Sequence, residues 1–126
     1  MLGDETMVAF LATSKPAAAR AFFEGVLGLT FAGDSEHLVM FRSGAAELML
    51  QKSATVTPPH GTALGWHVKD LPATMTVLVE RGVRFERFEG HDQDEMGVWS
   101  PQPGTGVAWF KDPDGNLLSL SGATAS

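Results

Sequence analysis

The chain contains no cysteine. Disulfides, thiolate metal sites and a cysteine nucleophile are therefore excluded. It also has no long apolar run. Nothing approaches the roughly 20 residues of a membrane-spanning helix. The apolar segment 7–12 is too short for a signal peptide and has no basic flank. Positive charge is scarce: 9 Lys and Arg stand against 15 Asp and Glu, a net charge of -6. A balance of that sign disfavours nucleic acid, whose phosphates need a basic face. It leaves neutral or cationic small molecules as the better partners. A cytoplasmic protein with neither a nucleic-acid nor a membrane partner is the expectation.

What is present suits one soluble domain. The length is 126 residues, with 44% hydrophobic and 19% charged residues, enough for a real core. The sequence repeats itself weakly. The stretch VAFLATSKPAAARAFFEGVLGLTF (8–31) is echoed by ALGWHVKDLPATMTVLVERGVRF (63–85), and Gly28 and Gly82 are 54 positions apart. Each copy reads as a strand, a polar break with proline, an amphipathic helix, a glycine stop and another strand. Two long irregular copies suggest a duplicated half, since a solenoid needs three or more.

Local signals support each element. Ser14 reads as the cap of the first helix, with Pro16 in its first turn, where a missing N–H costs nothing. Gly25 or Gly28 ends it. Asp70 and Pro72 repeat the start signal; Met75, Leu78 and Val79 form the apolar stripe, and Gly82 is the stop. Strand-like runs follow at 29–32, 38–41 and 47–51 in the first half, and at 83–88, 107–110 and 117–120 in the second. Asp112-Pro113-Asp114-Gly115 is a turn, proline suiting its second position and glycine a left-handed one. Each half thus reads βαβββ. Module one spans about 6–52, a stiff linker with Pro58-Pro59 covers 53–62, and module two covers 63–121. The acidic, glycine-rich segment 89–106 is too long for a simple hairpin, and loops of that length tend to be functional or disordered.

Two paired βαβββ halves, the helix patch FFEGVLGL and the closing hairpin FKDPDGNLLSL resemble the vicinal oxygen chelate superfamily. That group includes glyoxalase I, extradiol dioxygenases and bleomycin resistance proteins. The resemblance spans nearly the whole chain. It implies an α+β fold in which the two modules form a curved mixed sheet around a cleft, with the helices outside. It also implies homodimers. In the superfamily's enzymes, metal ligands sit near the start of each half's first strand and on a glutamate of a last strand. Carried over, those positions fall at Val8, Ala63 and Ser119. Valine and alanine offer no lone pair and a serine hydroxyl alone is a poor ligand. No cofactor is therefore expected, a divalent metal being the alternative.

If the superfamily's orientation holds, strand alternation turns Val8, Phe10 and Ala12 toward the cleft, with Gly65, His67, Val107, Trp109 and Ser119 from the second half. Met49 and Gln51 belong to the set through a strand of weaker register. His67 is the best polar candidate, able to orient a ligand or to act as acid or base near neutral pH. Trp99 and Trp109 can stack a flat or cationic ligand. Glu95 stands out from the acids Glu86, Glu89, Asp92 and Asp94, which read as a solvated loop, because Met96 and Trp99 beside it favour burial. His60 and His91 read as solvated loop histidines, and Asp112 and Asp114 as turn formers. Ser119 can hydrogen-bond a ligand but has no nucleophile-elbow context.

The expected function is metal-free binding of a hydrophobic, aromatic or cationic small molecule. The expected ligand-binding set is Phe10, Met49, Gln51, His67, Glu95, Trp99, Trp109 and Ser119. The alternatives are a divalent-metal-dependent lyase, isomerase or dioxygenase with atypical ligands, or a metal-free enzyme using His67.

Overall fold

The computed structural model describes residues 1–124. The chain divides into two compact units, Met1–Pro58 and one beginning at Pro59. Hydrogen bonding gives each unit its own sheet, four-stranded in the first and three-stranded in the second, in place of one continuous sheet. The class is α+β.

In the first unit, strands β1 (Val8–Thr13), β2 (Thr30–Asp34), β3 (Leu38–Ser43) and β4 (Ala46–Lys52) lie in the order β1-β4-β3-β2. First and last strands pair parallel, and β4, β3 and β2 form an antiparallel meander. Period-two patterning sends Leu11, Leu48, Leu50, Val39 and Phe41 to one buried face. Helix α1 (Pro16–Arg20) and the π-helical turn Ala21–Val26 that prolongs it cover that face. Phe23 is fully buried, its ring 5.7 Å from that of Phe41.

The helix departs from the expected form at both ends. Ser14 is not its cap: Lys15 holds that position, and Thr13 Oγ1 accepts the Lys15 N–H at 3.1 Å. At the C-terminus Leu27 N–H reaches Phe22 C=O, five residues back, at 2.9 Å. The chain passes through Gly25 and stops at Gly28, where φ is +80°. A left-handed residue there is what a C-terminal glycine permits at low cost.

The second unit repeats the plan. β5 (Thr62–Val68), β6 (Thr105–Lys111) and β7 (Leu117–Ala123) lie in the order β5-β7-β6, again with first and last parallel. Helix α2 (Leu71–Glu80) begins as expected, the Asp70 side chain accepting Ala73 N–H, and gives way to Gly82 at φ +96°. It buries Leu71, Met75 and Leu78, while Ala108, Phe110, Leu118 and Leu120 are buried from the strands. The expected strand at 83–88 does not form as a regular strand. Phe85 makes an isolated antiparallel bridge with Phe110, and Glu86 N–H donates to Trp109 C=O at 2.7 Å. This stretch takes the position of β2 in the first unit, beside the third strand, but makes only the start of a ladder.

The β6–β7 hairpin closes on the Asp112–Gly115 turn. Gly115, at φ +87°, donates to Asp112 C=O at 3.0 Å. Asp112 is more than a turn former. Its side chain is buried and accepts the N–H groups of Asp114 and Asn116 and the Asn116 amide, each at 2.9 Å. Burial pushes its carboxyl up from the ordinary aspartate value, and the hydrogen bonds from Asn116 and Asp114 pull it partly back. Among the described residues, no helix is long and apolar enough to cross a membrane.

Candidate functional site

Each sheet has a second face, turned away from its helix. In the first unit it is built by register. Phe10 lies opposite Met49, which lies opposite Met40; Ala12 and Leu38 flank Gln51; Val8 and Arg42 flank Glu47. Phe10 is 55% exposed although it is a large apolar side chain. Met40 and Met49 are half-buried beside it. Val8, Phe10 and Ala12 lie on the strand side opposite buried Leu11 and Thr13.

In the second unit the corresponding face carries Gly65 and His67 from β5, Ser119 and Ser121 from β7, and Val107 and Trp109 from β6. Gly65 pairs with Ser119 and Ser119 with Trp109; His67 pairs with Ser121 and Ser121 with Val107. Gly65 is a spatial necessity. A Cβ there would lie 2.1 Å from Ser119 Oγ and 2.9 Å from the Ser119 carbonyl oxygen. The serine side chain leans into the room that the missing Cβ leaves. Its hydroxyl is half-buried and makes no hydrogen bond among the described residues. The imidazole of His67 is exposed and is fixed by a 2.7 Å hydrogen bond between Nδ1 and Ser121 Oγ. That leaves Nε2 as the nitrogen free to meet a ligand.

Trp109 spans this face. It starts on β6, yet its indole N–H donates to Thr62 Oγ1 on β5 at 3.0 Å, so the ring crosses β7. Around it stand three rings from the 85–99 segment. Phe88 lies 5.4 Å away, His91 5.7 Å and Trp99 6.0 Å, between ring centroids. His91 also touches Trp99 at 5.0 Å and Phe88 at 6.0 Å. Apart from Trp99 and Trp109, which are tilted by 33°, these pairs meet at 61° to 88°, an edge-to-face arrangement that suits aromatic quadrupoles.

The loop that delivers these rings is tightly stitched. Trp99 exchanges both main-chain hydrogen bonds with Val107, covering the free edge of β6. The Gln93 carboxamide accepts Phe88 N–H at 2.8 Å and donates to Glu86 C=O at 3.0 Å and Gly97 C=O at 2.8 Å. Asp94 Oδ1 accepts the N–H groups of Met96 and Val98, each at 2.9 Å. Reading 86–95 as a solvated acidic stretch therefore missed Asp94, which folds the loop. It missed Gln93, Phe88, Ser121 and His91 as well.

Glu95 is not with the tryptophans. It is exposed and lines a groove of about 460 Å³ beside α2, with Val79, Glu80, Arg84, Phe85 and Met96 among its neighbours. The loop turns between Glu95 and Trp99, placing them in different surroundings. Met96, expected to be buried, is 40% exposed. His60 is an exposed residue ahead of β5, as anticipated.

A divalent metal does not fit these residues. Val8 and Ala63 have no donor atoms, and Ser119 offers one neutral hydroxyl. Among the described residues no group of three His, Cys, Asp or Glu side chains is placed to hold a metal ion. Such a site needs several imidazole or carboxylate donors converging on one point.

The repeated unit with its first and last strands paired in parallel, a helix on one face and a second, open face defines a duplicated βαβββ protein of the glyoxalase type. A family model described as the Glyoxalase/Bleomycin resistance protein/Dioxygenase superfamily matches residues 6–120, and the chain belongs to that superfamily. No curated protein sequence matches it. Among solved structures it is similar to a glyoxalase family protein from Bacillus anthracis (15% identity, TM-score 0.76, covering 96% of each chain). It is also similar to TnmS3, an antibiotic binding protein from Streptomyces sp. CB03234 (22% identity, TM-score 0.72, covering 98% of this chain and 99% of that one). A third is a lactoylglutathione lyase from Agrobacterium tumefaciens (20% identity, TM-score 0.68, covering 94% and 93%). At these identities the likeness establishes the fold.

Proposed function

We propose that this protein binds a hydrophobic, aromatic or cationic small molecule without a metal, on a sheet face turned away from its helix. The observation that carries this reading is the second unit's aromatic wall, Trp99 and Trp109 with Phe88 and His91, standing beside an unengaged Ser119 hydroxyl. A largely apolar surface with a few placed polar groups is the usual composition of a small-molecule site. Ser119 and His67 Nε2 supply directional hydrogen bonds, and the indoles supply stacking area. Exposed Phe10, adaptable Met49 and the Gln51 amide belong to the proposed set as a surface of the first unit's own sheet. Glu95, which lines the groove beside α2, is left out of this proposed set. The likeness to an antibiotic binding protein supports a binding role. A cytoplasmic location and a homodimeric state belong to this reading.

Thermal unfolding with a panel of aromatic and cationic compounds tests it. Binding to the native state raises the melting temperature with ligand concentration, by about 2.7 kcal/mol of stability at a hundredfold excess over Kd. Trp109→Ala should abolish the rise. A flat response across the panel refutes the reading.

A second reading, a metal-free enzyme, is favoured by one observation, the 2.7 Å bond that holds His67 with Nε2 free. Turnover of a bound compound that His67→Gln removes without weakening binding would establish it. Stoichiometric metal in protein purified without chelators, lost in His67→Ala, would overturn both readings.

A further inference from the structure

We propose that His91 is an internal occupant of the aromatic site, and that the group which displaces it is a planar aromatic cation. The inference rests on the binding reading above and names the chemical class of its ligand.

Three rings form the walls around the His91 imidazole: Trp99 at 5.0 Å, Trp109 at 5.7 Å and Phe88 at 6.0 Å between centroids. The imidazole meets all three at steep angles, between 61° and 78°. Indole and phenyl faces carry negative potential, and a cluster of three such rings open to solvent offers faces on which a flat, positively charged guest can stack. The His91 imidazole resembles such a guest in being planar and heteroaromatic, and it is the histidine that touches all three rings.

The walls and the occupant are held differently. Trp99 is fixed by two main-chain hydrogen bonds to Val107, and Trp109 by Thr62. Phe88 N–H is held by Gln93. His91 sits at the end of a tight turn, its N–H donating to Phe88 C=O at 3.3 Å, and the residue before it is Gly90 at φ +82°. That glycine gives the turn backbone freedom which a side-chain-bearing residue lacks. The imidazole is exposed, so leaving the enclosure breaks ring contacts and no buried hydrogen bond. The charges at hand also favour a cation. Glu89 and Asp92 flank the turn, both exposed, and Lys111, on the same strand face as Trp109, has its charge offset by Glu86 at 3.7 Å.

Calorimetric titration with N-methylquinolinium, and with quinoline in its uncharged form, tests the proposal. The cation should bind wild type, with quinoline at least about tenfold weaker. His91→Ala should bind the cation about three- to tenfold more tightly, since the competing internal ring contacts are gone. Trp99→Ala and Trp109→Ala should lose it. In the NMR spectrum the His91 ring signals should move to solvent-exposed positions as the cation enters. His91→Ala binding that equals or falls below wild type refutes the internal occupant, and quinoline binding as tightly as the cation refutes the charge preference. If other aromatic compounds raise the melting temperature but His91→Ala behaves as wild type, only this inference fails. If no compound does so, the binding reading fails with it.

Discussion

At the scale of single residues, two positions show how the site is held. Gly65 is one: its missing side chain is filled by Ser119. Gly65→Ala should lower stability by about 1–3 kcal/mol in a urea titration, the range expected for overpacking. Ser119→Ala cannot rescue it, because the Ser119 carbonyl oxygen also lies within 2.9 Å of the added carbon. Asp112 is the other. Its folded-state carboxyl titrates above the ordinary value of 3.8, so the folded chain holds that proton more tightly than the unfolded chain. The contribution to stability is present at low pH and is lost as pH rises from the ordinary value through the raised one. Urea titrations across the acid range should show this decline in wild type and not in Asp112→Asn. The variant should also be about 1 kcal/mol less stable at neutral pH, because its amide faces the Asn116 amide donor.

At the scale of elements, legibility in the sequence followed the range of the forces. Asp70, Gly82 and Gly28 act within a few residues of themselves, and the structure uses each as its chemistry suggests. Alternation within a strand also holds, exposed Phe10 standing opposite buried Leu11, and Trp109 and Ser119 opposite buried Phe110 and Leu118. Ser14 was misread as the cap because the helix begins one residue later, with Lys15 in the cap position and its N–H held by Thr13 Oγ1. The π-helical turn arises from a shift in hydrogen-bond partner that no residue type announces. Residues 83–88 have strand composition, but a ladder also needs a partner edge. Beyond Glu86 that edge is taken by Trp99, delivered from a loop whose fold depends on Gln93. A side-chain amide joining main-chain groups from Glu86 to Gly97 leaves no periodic trace. Gln93→Ala should therefore speed amide hydrogen exchange throughout 86–99 while β7 stays protected, at a stability loss of about 1–3 kcal/mol for the stranded polar groups.

At the scale of the whole molecule, the duplication is clearer in the topology than in the sequence. Both units place first and last strands side by side and parallel, with the third strand next, although their side chains have diverged. The last strand of the first unit presents Glu47, Met49 and Gln51 on its second face, and that of the second unit presents Leu117, Ser119 and Ser121. The same scaffold thus carries three long side chains in one copy and a leucine with two small hydroxyl side chains in the other. A homodimer is part of the proposed reading, and light scattering at micromolar concentration should give about twice the mass of the 13.4 kDa chain. A monomer would refute it.

Two of the three tryptophans lie together in the aromatic cluster, their ring centroids 6.0 Å apart and tilted by 33°. The third, Trp66, stacks on Phe110 in the second unit. Indoles this close share their electronic excitation. The far-ultraviolet circular dichroism of the folded protein should therefore contain an exciton couplet that belongs to one patch of surface. It should vanish in Trp99→Phe and change sign or amplitude when a guest wedges the pair apart, so the chain carries its own optical gauge of that spot without any attached dye.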